Sequence, residues 1–167
     1  MKNFVKEGQK LPLYGIGPHL VVAMGAVTLI GILLSENVFK SGLLTGLGMT
    51  FMRIAGVILI ALGIAVWFIG AVRSGMDESI ADNKLKTDGI YAWVRNPMYS
   101  GWLMAFAGIS LQWHNIWLLA APLINWVIMT AVLKNTEEKW LKNLYGKEYE
   151  NYCMSVNRCW LWFPRKG

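Results

Sequence analysis

Charge is scarce in this chain. Asp, Glu, Lys and Arg make up 16% of its 167 residues, against about 25% in soluble globular proteins. No acidic residue falls in its four long apolar stretches, 17–34, 51–72, 97–113 and 116–133. That weakens a proton- or cation-coupled transporter, which places carboxylates inside the membrane. There are two histidines, His19 and His114. They are expected on opposite membrane faces and cannot share a metal. No His/Cys/Asp/Glu cluster has zinc or iron spacing, so no metal is expected. No Ser-His-acid set is available on one face. The two cysteines, Cys153 and Cys159, read as reduced thiols. Gly42–Gly48 is glycine-rich but lacks the strand–turn–helix setting of a nucleotide fingerprint. No cleavable signal peptide is expected at the polar N-terminus, and the C-terminal Pro-Arg-Lys-Gly is not a prenylation box.

What remains is apolar, at 55% of residues, with nine Trp. Two membrane interfaces account for that tryptophan count. The expected fold is all-α: a single polytopic domain over 1–167 with about four transmembrane helices, a C-terminal helical hairpin and a cytosolic C-terminal extension. Pro18 suits the first turn of span one, Ser35–Thr50 reads as a turn, and Pro122 is expected to bend span four. Gly56, Gly63 and Gly70 recur every seven residues, one stripe on span two that lets another helix backbone approach. Lys and Arg are distributed unevenly. The N-terminal segment Met1–Leu13 carries three (Lys2, Lys6, Lys10), residues 73–96 four, the C-terminal region seven, and the remaining two are Lys40 and Arg53. The positive-inside rule then puts both termini and the 73–96 segment in the cytosol. Topology thus explains the net charge of +6, and no nucleic-acid partner is implied. The host membrane, bacterial inner membrane or endoplasmic reticulum, stays open.

Two polar constellations interrupt this pattern. Leu85–Gly101 is the hinge between hydrophobic halves. Asp88-Gly89 marks a turn, Tyr91 and Trp93 suit a membrane–water boundary, and Asn96-Pro97 reads as N-cap plus first helical residue. The second lies past span four, which reads as continuing through Lys134–Tyr145 to Gly146. At 100° per residue, Glu137 falls on the face of Leu133, Trp140, Leu141 and Leu144, pointing inward. Glu138 falls between Lys134 and Lys142, in a surface ladder. A carboxylate on a buried face needs a partner: Arg95, Arg158 or a ligand.

At these residues the chain resembles the isoprenylcysteine carboxyl methyltransferase and phospholipid methyltransferase family of membrane enzymes. Gly89-Ile90-Tyr91-Ala92-Trp93-Val94-Arg95-Asn96-Pro97-Met98-Tyr99-Ser100-Gly101 resembles the family's Gly-x-Tyr…Arg-His-Pro-x-Tyr-x-Gly. Glu137-Glu138 resembles its paired acids. Tyr149-Glu150-Asn151-Tyr152 with Val156, Arg158 and Pro164 resembles its C-terminal pattern. Asn96 stands where the family has His, and Trp160-Leu161-Trp162 adds aromatics. The resemblance covers about 85–164 and makes 73–167 the catalytic region and 1–72 a helical pair. It implies S-adenosylmethionine as methyl donor, S-adenosylhomocysteine as product and a lipophilic or lipid acceptor met at the membrane. The implied catalytic residues are Arg95, Glu137 and Arg158. Gly89, Tyr91, Arg95, Asn96, Pro97, Tyr99, Gly101, Glu137 and Glu138 would bind the donor. Tyr149, Tyr152, Arg158 and Trp160 would bind the acceptor. A membrane reductase related to sterol reductases and a non-enzymatic adaptor or small transporter are the alternatives.

Overall fold

The computed structural model describes residues 15–75, 79 and 84–163. The basic N-terminal segment Met1–Leu13 and Pro164 lie outside them. All regular structure among the described residues is helical. Six helices run in order: α1 Gly17–Asn37, α2 Gly46–Phe68, α3 Pro97–Gln112, α4 Ala120–Asn135, α5 Glu137–Tyr145 and α6 Lys147–Ser155. A π-helical turn, Ile69–Arg73, extends α2. Among the described residues three helical stretches, Gly17–Asn37, Gly46–Arg73 and Ile116–Tyr145, are long and apolar enough to cross a membrane. The sixteen residues of α3 are fewer than the roughly 20 a full crossing takes. The outward faces of α1 and α2 present Val22, Leu29, Phe51, Val57 and Leu62 in the open, which suits lipid rather than water as solvent.

The glycine stripe of α2 decides where α3 lies. A Cβ on Gly63 would stand 2.6 Å from the Gly101 carbonyl oxygen and 2.8 Å from the Ala105 amide. The relation is mutual: a Cβ on Gly101 would stand 2.6 Å from the Gly63 carbonyl oxygen. Gly56 and Gly108 repeat it one heptad away, and a Cβ on Gly70 would stand 2.9 Å from the Pro97 ring. Gly101 and Gly108 are themselves seven apart, so two matching stripes meet and the backbones touch. The expected role of the α2 stripe is what the structure displays. The third and fourth helical stretches do follow one another through a tight turn, but α3 packs most closely along α2.

A core of Leu20, Met24, Leu103, Met129 and Leu133 joins α1, α3 and α4, lined by Trp102, Phe106 and Trp126. Within it the buried Asn125 Nδ2 donates to Thr28 Oγ1 at 3.0 Å, a polar link between α4 and α1 of the kind that helps membrane helices associate. Pro122 does not bend the middle of a helix. It sits in the first turn of α4, where no intrahelical hydrogen bond is lost. The first turn is also shorter than Ser35–Thr50, because α1 runs to Asn37 and α2 starts at Gly46.

The molecule has two distinct ends. At one, the Leu44 amide donates to the His114 carbonyl at 2.9 Å and Asn115 Nδ2 to the Phe39 carbonyl at 2.8 Å. Trp113 Nε1 donates to Glu36 at 2.6 Å. The start of α1, the hinge and the C-terminal region gather at the other. His19 and His114 are therefore at opposite ends, as expected.

Candidate functional site

The hinge and the C-terminal segment meet through their backbones. Gly89 has φ +57, a left-handed value glycine adopts without strain, and it opens a 3₁₀ turn, Gly89–Ala92. After α6 the chain runs back as an extended strap. The Arg95 amide donates to the Asn157 carbonyl at 2.9 Å, the Asn96 amide to the Arg158 carbonyl at 3.2 Å, and the Trp162 amide to the Trp93 carbonyl at 3.1 Å. Side chains rivet the joint. Tyr152 Oη donates to the Tyr91 carbonyl at 2.6 Å and Ser100 Oγ to the Cys159 carbonyl at 2.8 Å. Asn96 holds the N-cap position of α3 and Pro97 its first residue, as expected. The Asn96 side chain does not cap, however; its Nδ2 donates to the Arg158 carbonyl at 3.0 Å.

This joint carries a largely buried charge cluster. Arg158 grips Glu138 with two hydrogen bonds, Nε to Oε1 at 2.6 Å and Nη2 to Oε2 at 2.8 Å. Arg95 Nη1 approaches the same carboxylate at 3.3 Å, and the Arg95 and Glu138 side chains are only 8% and 12% exposed. Arg95 also lies over the Tyr149 ring, 5.9 Å from its centroid, donates to Tyr149 Oη at 3.5 Å and contacts the Cys153 thiol. Two guanidiniums facing one carboxylate leave a formal surplus of one positive charge. Burial pushes the Tyr149 and Tyr152 hydroxyls upward, and the Glu138 charge adds to the effect at Tyr149. Both stay protonated and able to donate at neutral pH.

The placement of the two acids corrects the helical projection. The helix does not continue smoothly past Asn135: Thr136 breaks it with φ −124 and ψ −90. Everything after the break is turned relative to α4. Glu138 consequently faces Arg95 and Arg158, and its expected ladder with Lys134 and Lys142 is absent; Lys142 pairs with Glu150 at 2.7 Å instead. Glu137 accepts a 2.6 Å hydrogen bond from Tyr99 Oη and another from the Ile16 amide at 3.3 Å. It anchors the start of α1. The helix end at Gly146, with φ +53, falls where expected.

The other residues implied by resemblance divide between cleft and scaffold. Tyr91, Arg95, Asn96, Tyr149 and Tyr152 line one narrow, solvent-open cleft with a cavity volume of about 30 Å³. Pro97 and Gly101 are buried against α2. Gly89 is exposed at the turn. Trp160 is exposed beside Trp126, ring centroids 6.4 Å apart. Residues given no binding role from sequence complete the cleft: Tyr145, Leu141 and the 84–86 segment. Tyr149 and Tyr152 share one face of α6 by their three-residue spacing, while Tyr145 reaches the cleft from α5 across the turn at Gly146. Among the described residues no group of three or more His, Cys, Asp or Glu is disposed to hold a metal.

The two free thiols differ sharply. Cys159 is buried in the core, and burial raises its pKa to about 12. Cys153 is partly exposed and lies against Arg95. N-ethylmaleimide at pH 7.5 is expected to label Cys153 and leave Cys159 unmodified until the protein is unfolded; thiolate is the reacting form. Mass analysis of labelled peptides checks this, and equal labelling of both in native protein would contradict the burial of the strap.

The sequence profile of the phospholipid methyltransferase family matches residues 42–148. A probable protein-S-isoprenylcysteine O-methyltransferase of Oryza sativa subsp. indica is 26% identical over 115 residues, covering 64% of this chain and 60% of the relative. The protein-S-isoprenylcysteine O-methyltransferase of Schizosaccharomyces pombe is 36% identical over 76 residues, covering 45% of this chain and 32% of the relative. A methanethiol S-methyltransferase of Crocosphaera subtropica is 36% identical over 75 residues, covering 44% and 28%. The chain thus spans about 60% or less of the length of these relatives. No solved structure matches.

Proposed function

This chain belongs to the phospholipid methyltransferase family, and from that premise we propose that it is a membrane methyltransferase using S-adenosylmethionine to methylate a lipophilic acceptor. The observation that carries the reading is the Arg95–Glu138–Arg158 cluster, buried where hinge and strap join and opening on a tyrosine-lined cleft. The residue types fit the donor. Its amino-acid end bears a carboxylate and an ammonium, which the arginines and Glu138 complement. Tyr91, Tyr149 and Tyr152 offer aromatic faces, and Tyr149 a hydroxyl that can donate, toward the adenosine end.

When bound, S-adenosylmethionine supplies an activated methyl group on a sulfonium. The chain's own part is placement and exclusion of water. Arg158 locks Glu138 in a bidentate pair, and Tyr149 and Cys153 hold the Arg95 guanidinium from the other side. Asn96 and Ser100 fix the strap that closes over them. The relatives' names point to an oxygen or sulfur atom as methyl acceptor. The acceptor reaches the site sideways from the bilayer, past the exposed Trp160, Trp162 and Phe163. This end of the molecule faces the cytosol, in keeping with the Lys and Arg distribution.

S-adenosylhomocysteine is expected to bind the detergent-purified protein with micromolar affinity, the range of ordinary substrate sites. At a hundredfold excess over Kd it should stabilise the fold by about 2.7 kcal/mol. Arg95→Ala should weaken that effect. Calorimetry without a binding signal at millimolar ligand would favour the non-enzymatic reading.

A further inference from the structure

The cleft contains two hydrogen-bond donors with nothing to donate to. Arg95 Nε is fully shielded and has no partner, although the other end of its guanidinium is committed to Glu138, Tyr149 and Cys153. Tyr145 Oη is likewise shielded and unpartnered. Both residues line the same cleft, with Lys84 and Lys86 at its rim. Unpaired buried polar groups are costly, and in folded proteins nearly all find partners. Arg95 Nε can only donate, and its donor is attached to a cation. Among the described residues Glu138 is already shared by two arginines and Glu150 is paired with Lys142, while Glu148 acts on Tyr145 as a nearby charge without bonding its hydroxyl. The Arg95–Glu138–Arg158 cluster itself keeps one positive charge in surplus.

We propose that this cleft is an oxyanion subsite in which Arg95 Nε and the Tyr145 hydroxyl donate to one carboxylate or phosphate group of a bound ligand. The proposal rests on the methyltransferase reading, under which two ligands carry such a group. One is the amino-acid carboxylate of the donor; the other is the anionic head of a lipid acceptor. Tyr145 is the assignment not implied by any motif. It sits at the last position of α5, and the left-handed Gly146 turns the chain so that Tyr145 faces the same cleft as Tyr149 and Tyr152.

Tyr145→Phe isolates the idea, since it removes one hydroxyl that makes no hydrogen bond in the fold. The full-length variant should unfold at or above the wild-type temperature without ligand. Four probes are then titrated into both proteins. S-adenosylhomocysteine is set against 5′-methylthioadenosine, which lacks the amino-acid end. Dioctanoyl phosphatidate is set against dioctanoylglycerol, which lacks the phosphate. In one pair, the oxyanion-bearing probe should lose about tenfold in affinity on Tyr145→Phe, the worth of one charge-assisted hydrogen bond, while its counterpart is unchanged. Loss confined to S-adenosylhomocysteine assigns the subsite to the donor; loss confined to phosphatidate assigns it to the lipid. Phosphatidate binding that depends on Tyr145, with no binding of S-adenosylhomocysteine, upholds the subsite and defeats the donor reading. Oxyanion probes that bind the variant as they bind wild type, or bind neither protein, overturn the proposal.

Discussion

Glu138→Gln is expected to abolish most activity, lowering turnover about a hundredfold or more, and to destabilise the protein by about 3 kcal/mol. One carboxylate is all that separates two largely buried guanidiniums. Removing its charge leaves both uncompensated, and breaking a buried ion pair from one side costs about 3–5 kcal/mol. The incoming amide also presents an NH₂ to donors that cannot accept. Glu137→Gln should be milder, on the order of 1–2 kcal/mol. Its carbonyl oxygen can still accept from Tyr99 and the Ile16 amide, the two bonds Glu137 makes. The measurement is thermal unfolding, donor binding and turnover of the two single variants in parallel. A greater loss of donor binding in Glu137→Gln than in Glu138→Gln would restore the donor-binding role implied for Glu137.

Gly101→Val should prevent accumulation of folded protein. The added Cβ would collide with the Gly63 carbonyl oxygen at 2.6 Å and with the Trp67 amide at 2.8 Å. Both are backbone atoms of a packed helix and cannot swing aside, so α2 and α3 must separate. Overpacking ordinarily costs about 1–3 kcal/mol, and a valine here adds two further methyl groups to the collision. Gly48→Ala is the control. It lies in the same helix α2, where a Cβ would meet only Leu44 side-chain carbons at 3.5 Å or more. Helix propensity favours the alanine by up to about 1 kcal/mol. Monodisperse Gly101→Val protein with unaltered melting would mean that the two glycine stripes are not in contact.

Composition was enough to reveal a helical membrane protein, because apolar runs without acids have few other uses. The α2 stripe was readable for the same reason: a seven-residue glycine period is a geometric signal independent of context. Its counterpart, Gly101 and Gly108, was overshadowed by the motif around it, which invited a ligand role for a residue that packs on a helix. Glu138 was misassigned at a single backbone joint. Thr136 carries no proline or glycine next to it to announce a break, so a 100° projection ran through it and sent Glu138 to the surface, although Glu137 does face inward, onto Tyr99 and the Ile16 amide. Asn96 was placed correctly at a helix start, yet its amide serves the strap, a segment more than 60 residues away in sequence. Local patterns cannot reveal such a partner. The cleft was half legible: Tyr149 and Tyr152 came with the motif, while Tyr145 came only with the turn at Gly146.

The strap is tied to the hinge mainly by amides and carbonyls: Arg95 to Asn157, Asn96 to Arg158, Trp162 to Trp93. Bonds of this kind do not depend on the identity of the side chains they join. The outward-facing Trp160, Trp162 and Phe163 are consequently a replaceable fringe on a fixed seam. Exchanging them alters what the bilayer side of the site meets and leaves the charge cluster beneath undisturbed. Under the proposed function, a directed library confined to those three positions is expected to change which acceptor is methylated without rebuilding the helices, and to leave donor binding as in wild type.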